Sequence, residues 1–116
     1  MDNKVYIVQS KDYDEVEEKL ISLISLMGGI GRFAKKDERI VLKANLLREA
    51  RPEQAVCTHP AVVAAVGKLA REAGAVPIIA DSPGGGYLYN ANTLEKIYHT
   101  SGMLRAARQA GIEVNR

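Results

Sequence analysis

Twice along the chain an apolar-periodic stretch stops at a glycine and an apolar run follows at once. The first junction is Arg71-Glu72-Ala73-Gly74-Ala75-Val76, and the second is Arg108-Gln109-Ala110-Gly111-Ile112-Glu113-Val114. Glycine just past the last helical turn takes the left-handed conformation that closes the helix without a Cβ penalty. A helix that ends so and feeds a strand is half of a strand–helix–strand unit. Its repetition points to an α/β fold of three layers, a mostly parallel sheet with crossover helices. The second junction arrives as the sequence reaches Arg116, where a fourth strand is only begun. Residues 1–116 therefore read as a single α/β domain fragment, the N-terminal part of a longer protein and an incomplete piece of a larger domain.

The remaining segments fit that plan. Val5-Tyr6-Ile7-Val8 is apolar and rich in β-branched residues, which predicts a buried first strand. From Asp12 the period changes: Val16, Leu20, Leu23, Ile24 and Met27 mark one helix face, with Asp12 as cap and Gly28-Gly29 as stop. Arg39 to Lys43 reads as the second strand. Thr58 or His59 would cap the next helix, Pro60 suits its first turn, and Val63, Val66, Leu69, Ala70 and Ala73 form its stripe. Val76 to Ala80 is the third strand, with Pro77 near its start. Thr93 to Thr100 and Met103 to Ala110 predict two more helices, stopped by Gly102 and Gly111.

Composition excludes more than it selects. Sixteen basic and fourteen acidic residues leave a net charge of +2, and there is no tryptophan and one phenylalanine. That is no basis for a nucleic-acid surface. The charge is uneven, because residues 1–27 hold six acids and three bases while residues 28–58 hold seven bases and four acids. A local preference for anions or simply a solvated basic face follows from the second segment. Cys57 is the only cysteine, so the chain itself holds neither a disulfide nor a cysteine-ligated cluster. No run is long enough for a membrane span and no signal pattern opens the sequence, so the expected setting is cytoplasmic.

If the second and third strands are parallel, three polar groups meet at the carboxyl rim of the sheet, where open α/β sheets bind ligands. Lys43 and Asn45 follow the second strand. Thr58 and His59 open the returning helix. Asp81, Ser82, Gly84, Gly85 and Gly86 follow the third strand. Lys43 meets a phosphate or carboxylate, reacts if burial lowers its pKa, or simply emerges at the sheet edge. Asn45 either binds through its amide or makes a turn. His59 either transfers protons or caps its helix, whereas His99 suits the dipole at a helix end. Asp81 binds a metal, orients a base or accepts a substrate hydroxyl, or it stabilises a turn. Ser82 lies in no nucleophile-elbow pattern. The three glycines form an anion-binding nest or a loose loop. No metal-ligand spacing occurs, and Gly29-Ile30-Gly31 lacks the third glycine of the dinucleotide fingerprint and precedes a strand.

Lys4-Val5-Tyr6-Ile7-Val8, Ile40-Val41-Leu42-Lys43-Ala44-Asn45-Leu46-Leu47, Thr58-His59-Pro60, Asp81 to Gly86 and Tyr98-x-x-x-Gly102, in that order, resemble the N-terminal part of domain-of-unknown-function family 362. The resemblance runs over essentially the whole chain. It departs at Lys43-Ala44-Asn45, where the family usually has Lys-Pro-Asn. Members are longer and often carry a ferredoxin-like module with two 4Fe–4S clusters, so the resemblance implies a redox-linked protein whose clusters, if any, are ligated beyond Arg116. It also implies a ligand-binding rim at Lys43, Asn45, Thr58, His59, Asp81 and Ser82. Lys43, His59 and Asp81 are the candidate catalytic residues. Asn45, Thr58, Ser82 and Gly84 to Gly86 are the candidate binding residues, with no metal ligand. The expected ligand is an anionic small molecule or a metal-bound substrate; other expected partners are the rest of the parent chain and, through an open sheet edge, a second copy. The competing reading is a non-catalytic binding or scaffold domain for another module or effector.

Overall fold

The computed structural model describes residues 3–84 and 86–116. Three strands, β1 (Arg39–Leu42), β2 (Val76–Ile79) and β3 (Glu113–Val114), form a parallel sheet in chain order. Arg39 pairs with Val76 and Leu42 with Ile79, while Ile78 pairs with Glu113 and Ile79 with Val114. Pro77 lies ahead of the Ile78–Glu113 pair, where β2 is still an edge strand on that side and a missing N–H disturbs the ladder least. Four helices accompany the sheet: α1 (Val16–Leu26), α2 (Pro60–Glu72), α3 (Ala91–Thr100) and α4 (Met103–Ala110). Helix α2 crosses over from β1 to β2, and the α3–α4 pair crosses from β2 to β3. Helices α2 and α4 pack against each other, and α1 packs mainly on α2.

Local chemistry sets the helix ends. His59 is the N-cap of α2, its Nδ1 accepting from the Ala61 amide at 3.1 Å, and Pro60 takes the first helical position. Asn90 caps α3 through a 2.9 Å bond from the Thr93 amide to its Oδ1. Gly102 turns the chain from α3 into α4 with φ +80°, and Gly111 ends α4 with φ +67°. Gly111 has a second reason to be glycine, since a Cβ there would run into the Arg71 guanidinium, which donates to the Ala110 carbonyl at 2.7 Å. Gly111→Ala is therefore expected to cost about 1–2 kcal/mol. A urea unfolding curve that placed the variant within about 0.5 kcal/mol of the parent, the spread of an ordinary surface change, would contradict this.

The main core gathers under the carboxyl rim. Leu94, Ile97 and Tyr98 of α3 and Met103, Leu104 and Ala107 of α4 meet Val63 of α2, Ile79 of β2, Ile112, and Ala44 and Leu46 just beyond β1. A smaller cluster of Ala34, Ala70 and Ala75 closes the opposite end with Ile30 and Ile40. The sheet alternates as its period requires: Leu42 and Ile79 face the helices, whereas Val41 (62% exposed) and Val76 (44%) lie on the face that neither α2 nor α4 covers.

One expected element is absent. Val5 to Val8 forms no strand among the described residues, and Val5 and Ile7 are 83% and 85% exposed. The run has the residue types of a strand, but β propensity is chiefly the fit of side chains to a neighbouring strand and a buried face. Here neither is supplied. The short strand after Gly111, by contrast, has both, because Ile79 is already in place to receive it.

Candidate ligand-binding rim

Parallel pairing of Leu42 with Ile79 brings the exits of β1 and β2 side by side. Two residues past the end of β2, Asp81 turns its carboxylate toward the exit of β1. Its Oδ1 lies 2.9 Å from the Lys43 ammonium, and its Oδ2 accepts the Leu46 amide at 3.1 Å. The partners differ in exposure: the Lys43 side chain is 78% exposed and that of Asp81 8%. Burial alone would raise the Asp81 pKa. The Lys43 ammonium and the Leu46 and Ser82 amides outweigh it and hold the carboxyl below its ordinary value. Asp81 is thus a fixed anion that anchors the chain leaving β1, and Lys43 is an ammonium held at the rim yet open to solvent.

Asn45 and Thr58 are brought together by reciprocal bonds. The Asn45 amide donates to Thr58 Oγ1 at 2.9 Å, the Thr58 amide returns a 3.0 Å bond to the Asn45 carbonyl, and Asn45 Nδ2 donates to the Val56 carbonyl at 2.8 Å. Their polar groups brace the loop between β1 and α2. The Cys57 thiol, pushed up by burial and bonded to the Arg48 carbonyl at 3.3 Å, is not poised as a thiolate. Gly84 donates its amide to the Leu47 carbonyl at 2.8 Å, and a Cβ on it would lie 2.8 Å from Leu47 Cδ1, so glycine here permits a close crossing of two loops. Ser82 and Gly86 are exposed, the latter with φ +85°. Gly85 lies outside the described residues.

His59 takes a different position from the other rim groups. Its ring is stacked on Tyr13, with centroids 3.5 Å apart and planes within 6°. Burial lowers its pKa, so the imidazole is neutral near pH 7. Since Nδ1 accepts from Ala61, the ring proton is assigned to Nε2. His59 lines a cavity of about 530 Å³ between α2 and α4, while Lys43 and Thr58 line an apolar trough of about 320 Å³ with Val41, Val62 and Val66. The rim therefore divides into a Lys43–Asp81 unit, an Asn45–Thr58 brace and a separate His59–Tyr13 stack. His99 sits in the last turn of α3.

Sequence reasoning missed Tyr13, Leu46 and Leu47. The two leucines act through backbone groups, which carry no residue signature. Tyr13 reaches His59 only because α1 packs on α2, and nothing local announces that. Among the described residues no group of three or more His, Cys, Asp or Glu side chains is placed to hold a metal.

No solved structure matches the chain. No helix among the described residues is long and apolar enough to cross a membrane. A thylakoid-associated protein of Synechocystis sp. is similar to it, 40% identical over 85 residues that make up 72% of this chain and 26% of that protein. The chain thus spans about a quarter of the length of that relative. The family model described as domain of unknown function DUF362 matches residues 40–116, from β1 through β3 with the Lys43–Asp81 unit inside it, and the chain belongs to that family.

Proposed function

We propose that this domain binds a small anion, free or as part of a metal-bound substrate, at the carboxyl rim, as the ligand-binding N-terminal part of a longer redox-linked protein. The observation that carries this reading is the Lys43–Asp81 unit. A well-desolvated carboxylate holds an otherwise solvent-exposed ammonium at the end of two parallel strands. An ammonium so positioned meets a phosphate or carboxylate with little further ordering, which is how preorganised charge gains affinity. Asp81 orients Lys43 in this reading, and any proton transfer by His59 would run through Nε2. A 4Fe–4S cluster takes four cysteine thiolates, and with Cys57 alone these 116 residues do not fit one. The single cysteine agrees with a reducing, cytoplasmic setting.

A scaffold role is the second reading, favoured by the use of Asn45, Thr58 and the Gly84 amide in bonds within the fold. Amide-shift mapping separates the two. Inorganic phosphate, acetate and magnesium are titrated into the labelled chain and into Lys43→Ala. Ligand binding predicts saturable shifts around residues 43–46 and 81–82, weakened about tenfold in the variant. Absence of shifts there with every probe would leave the scaffold reading in place of the first.

A further inference from the structure

A second feature lies outside the Lys43–Asp81 unit and does not depend on it. Two adjoining cavities, of about 530 and 670 Å³, follow α4: the first lies between α4 and the start of α2, and the second runs beside α4 past Pro52 and the last turn of α3. They share Arg105 and Gln109; His59 lines the first, and His99 and Arg108 line the second. Arg105, Arg108 and Gln109 stand at i, i+3 and i+4 on α4, so their side chains issue from one helix face. Neither guanidinium makes an ion pair or hydrogen bond among the described residues. The only carboxylate lining either cavity is that of Asp14, at the α1 side of the first. Two unpaired guanidiniums, a carboxamide and a neutral imidazole with its proton on Nε2 thus line one groove that contains a single acid.

The geometry points to a binding site for a phosphate monoester in this groove, with Arg105 and Arg108 on the phosphate oxygens and His59 and Gln109 as neutral donors. Guanidinium forks match phosphate oxygens in pairs, which a lone ammonium does not. The remaining wall is built of small apolar side chains such as Ala61, Ala64 and Ala106, which suits the organic body of an ester better than bare inorganic phosphate. Each cavity by itself is of the size that small-molecule sites occupy. The stacked Tyr13 fixes the plane of His59, so that donor is preorganised.

Phenyl phosphate titrated into the labelled chain, followed by amide and arginine Nε shifts, tests this. Vesicles of phosphatidylcholine with and without phosphatidic acid form a second arm that separates a free ester from a lipid headgroup. Saturable shifts over residues 102–109 and at His59 are expected. They should weaken about tenfold or more in Arg105→Gln/Arg108→Gln, since glutamine keeps helix propensity while removing both charges. Arg39→Ala, which removes a guanidinium at the opposite edge of the sheet, should change the affinity less than about twofold. Binding only to phosphatidic acid vesicles, with the same loss in the double variant, assigns the phosphate to a lipid. No saturable shift in either arm, or an equal loss in Arg39→Ala, overturns the site. A double variant without the parent's spectral dispersion is replaced by Arg105→Gln and Arg108→Gln singly, each expected to weaken binding. Because the readout is residue by residue, failure here leaves shifts around Lys43 and Asp81 to decide the rim reading separately.

Discussion

Replacing Tyr98 with alanine is expected to lower the unfolding free energy by about 3–5 kcal/mol, the upper range for truncating a buried side chain. Tyr98 has no exposed surface and belongs to the cluster that joins α3, α4, β2 and the loop after β1. Truncation removes a ring from the centre of that cluster, where Leu94 and Ile97 of its own helix meet Met103 of α4 and Leu46 of the loop after β1, three elements that cannot all close on the gap. The hydroxyl is a minor part of the effect. Its bond to the Ile79 carbonyl is long, at 3.4 Å, so Tyr98→Phe should cost about 1 kcal/mol or less. Burial first, then the neighbouring Tyr89 and Asp81, push the phenol up to about 12. The unfolded phenol titrates near about 10, so this contribution is complete below that pH and fades as the pH rises toward the folded value. Chemical denaturation of both variants at neutral pH checks the first two numbers, and a Tyr98→Ala loss below about 1.5 kcal/mol would mean that the site collapses far better than its packing implies.

Much of this architecture was legible because it is written in local chemistry. His59-Pro60 at the start of α2 and Gly74, Gly102 and Gly111 at helix ends are each determined by a handful of neighbouring atoms. The parallel pairing of β1 with β2 followed from the alternation of strand and helix along the chain. Val5 to Val8 shows where that logic stops. Its residues suit a strand, yet whether a strand forms depends on a partner edge, and no local signal reports one. The rim shows the same limit in a different form. Topology correctly predicts that Lys43 and Asp81 share one edge, but not that Asn45 and Thr58 would bond to each other, nor that Tyr13 would draw His59 toward the α2–α4 groove. Those outcomes are decided by loop geometry and helix packing over long sequence separations.

The second large effect concerns Asp81, where stability and the proposed ligand chemistry meet. Asp81→Ala is expected to cost about 2–3 kcal/mol near pH 7. Most of that comes from the Leu46 amide, which is fully buried and would be left without an acceptor, a defect worth about 1–3 kcal/mol. The ion pair adds little, because the Lys43 end is open to water and such pairs are worth about 1 kcal/mol at most. Asp81→Asn separates the two parts. An asparagine oxygen can still accept from Leu46, so this variant should retain most of the stability while losing the grip on Lys43. The pH dependence gives an independent check. The folded-state pKa of Asp81 is depressed, so its stabilising contribution is complete above the unfolded value of about 3.9 and is lost as the pH falls through the folded value. The stability gap between the parent and Asp81→Asn should therefore be constant from about pH 7 to about pH 5 and shrink below about pH 4. A gap that stays unchanged into acid would mean that the Asp81 charge does not stabilise the fold, and the ammonium at the rim would then be placed by something other than its carboxylate partner.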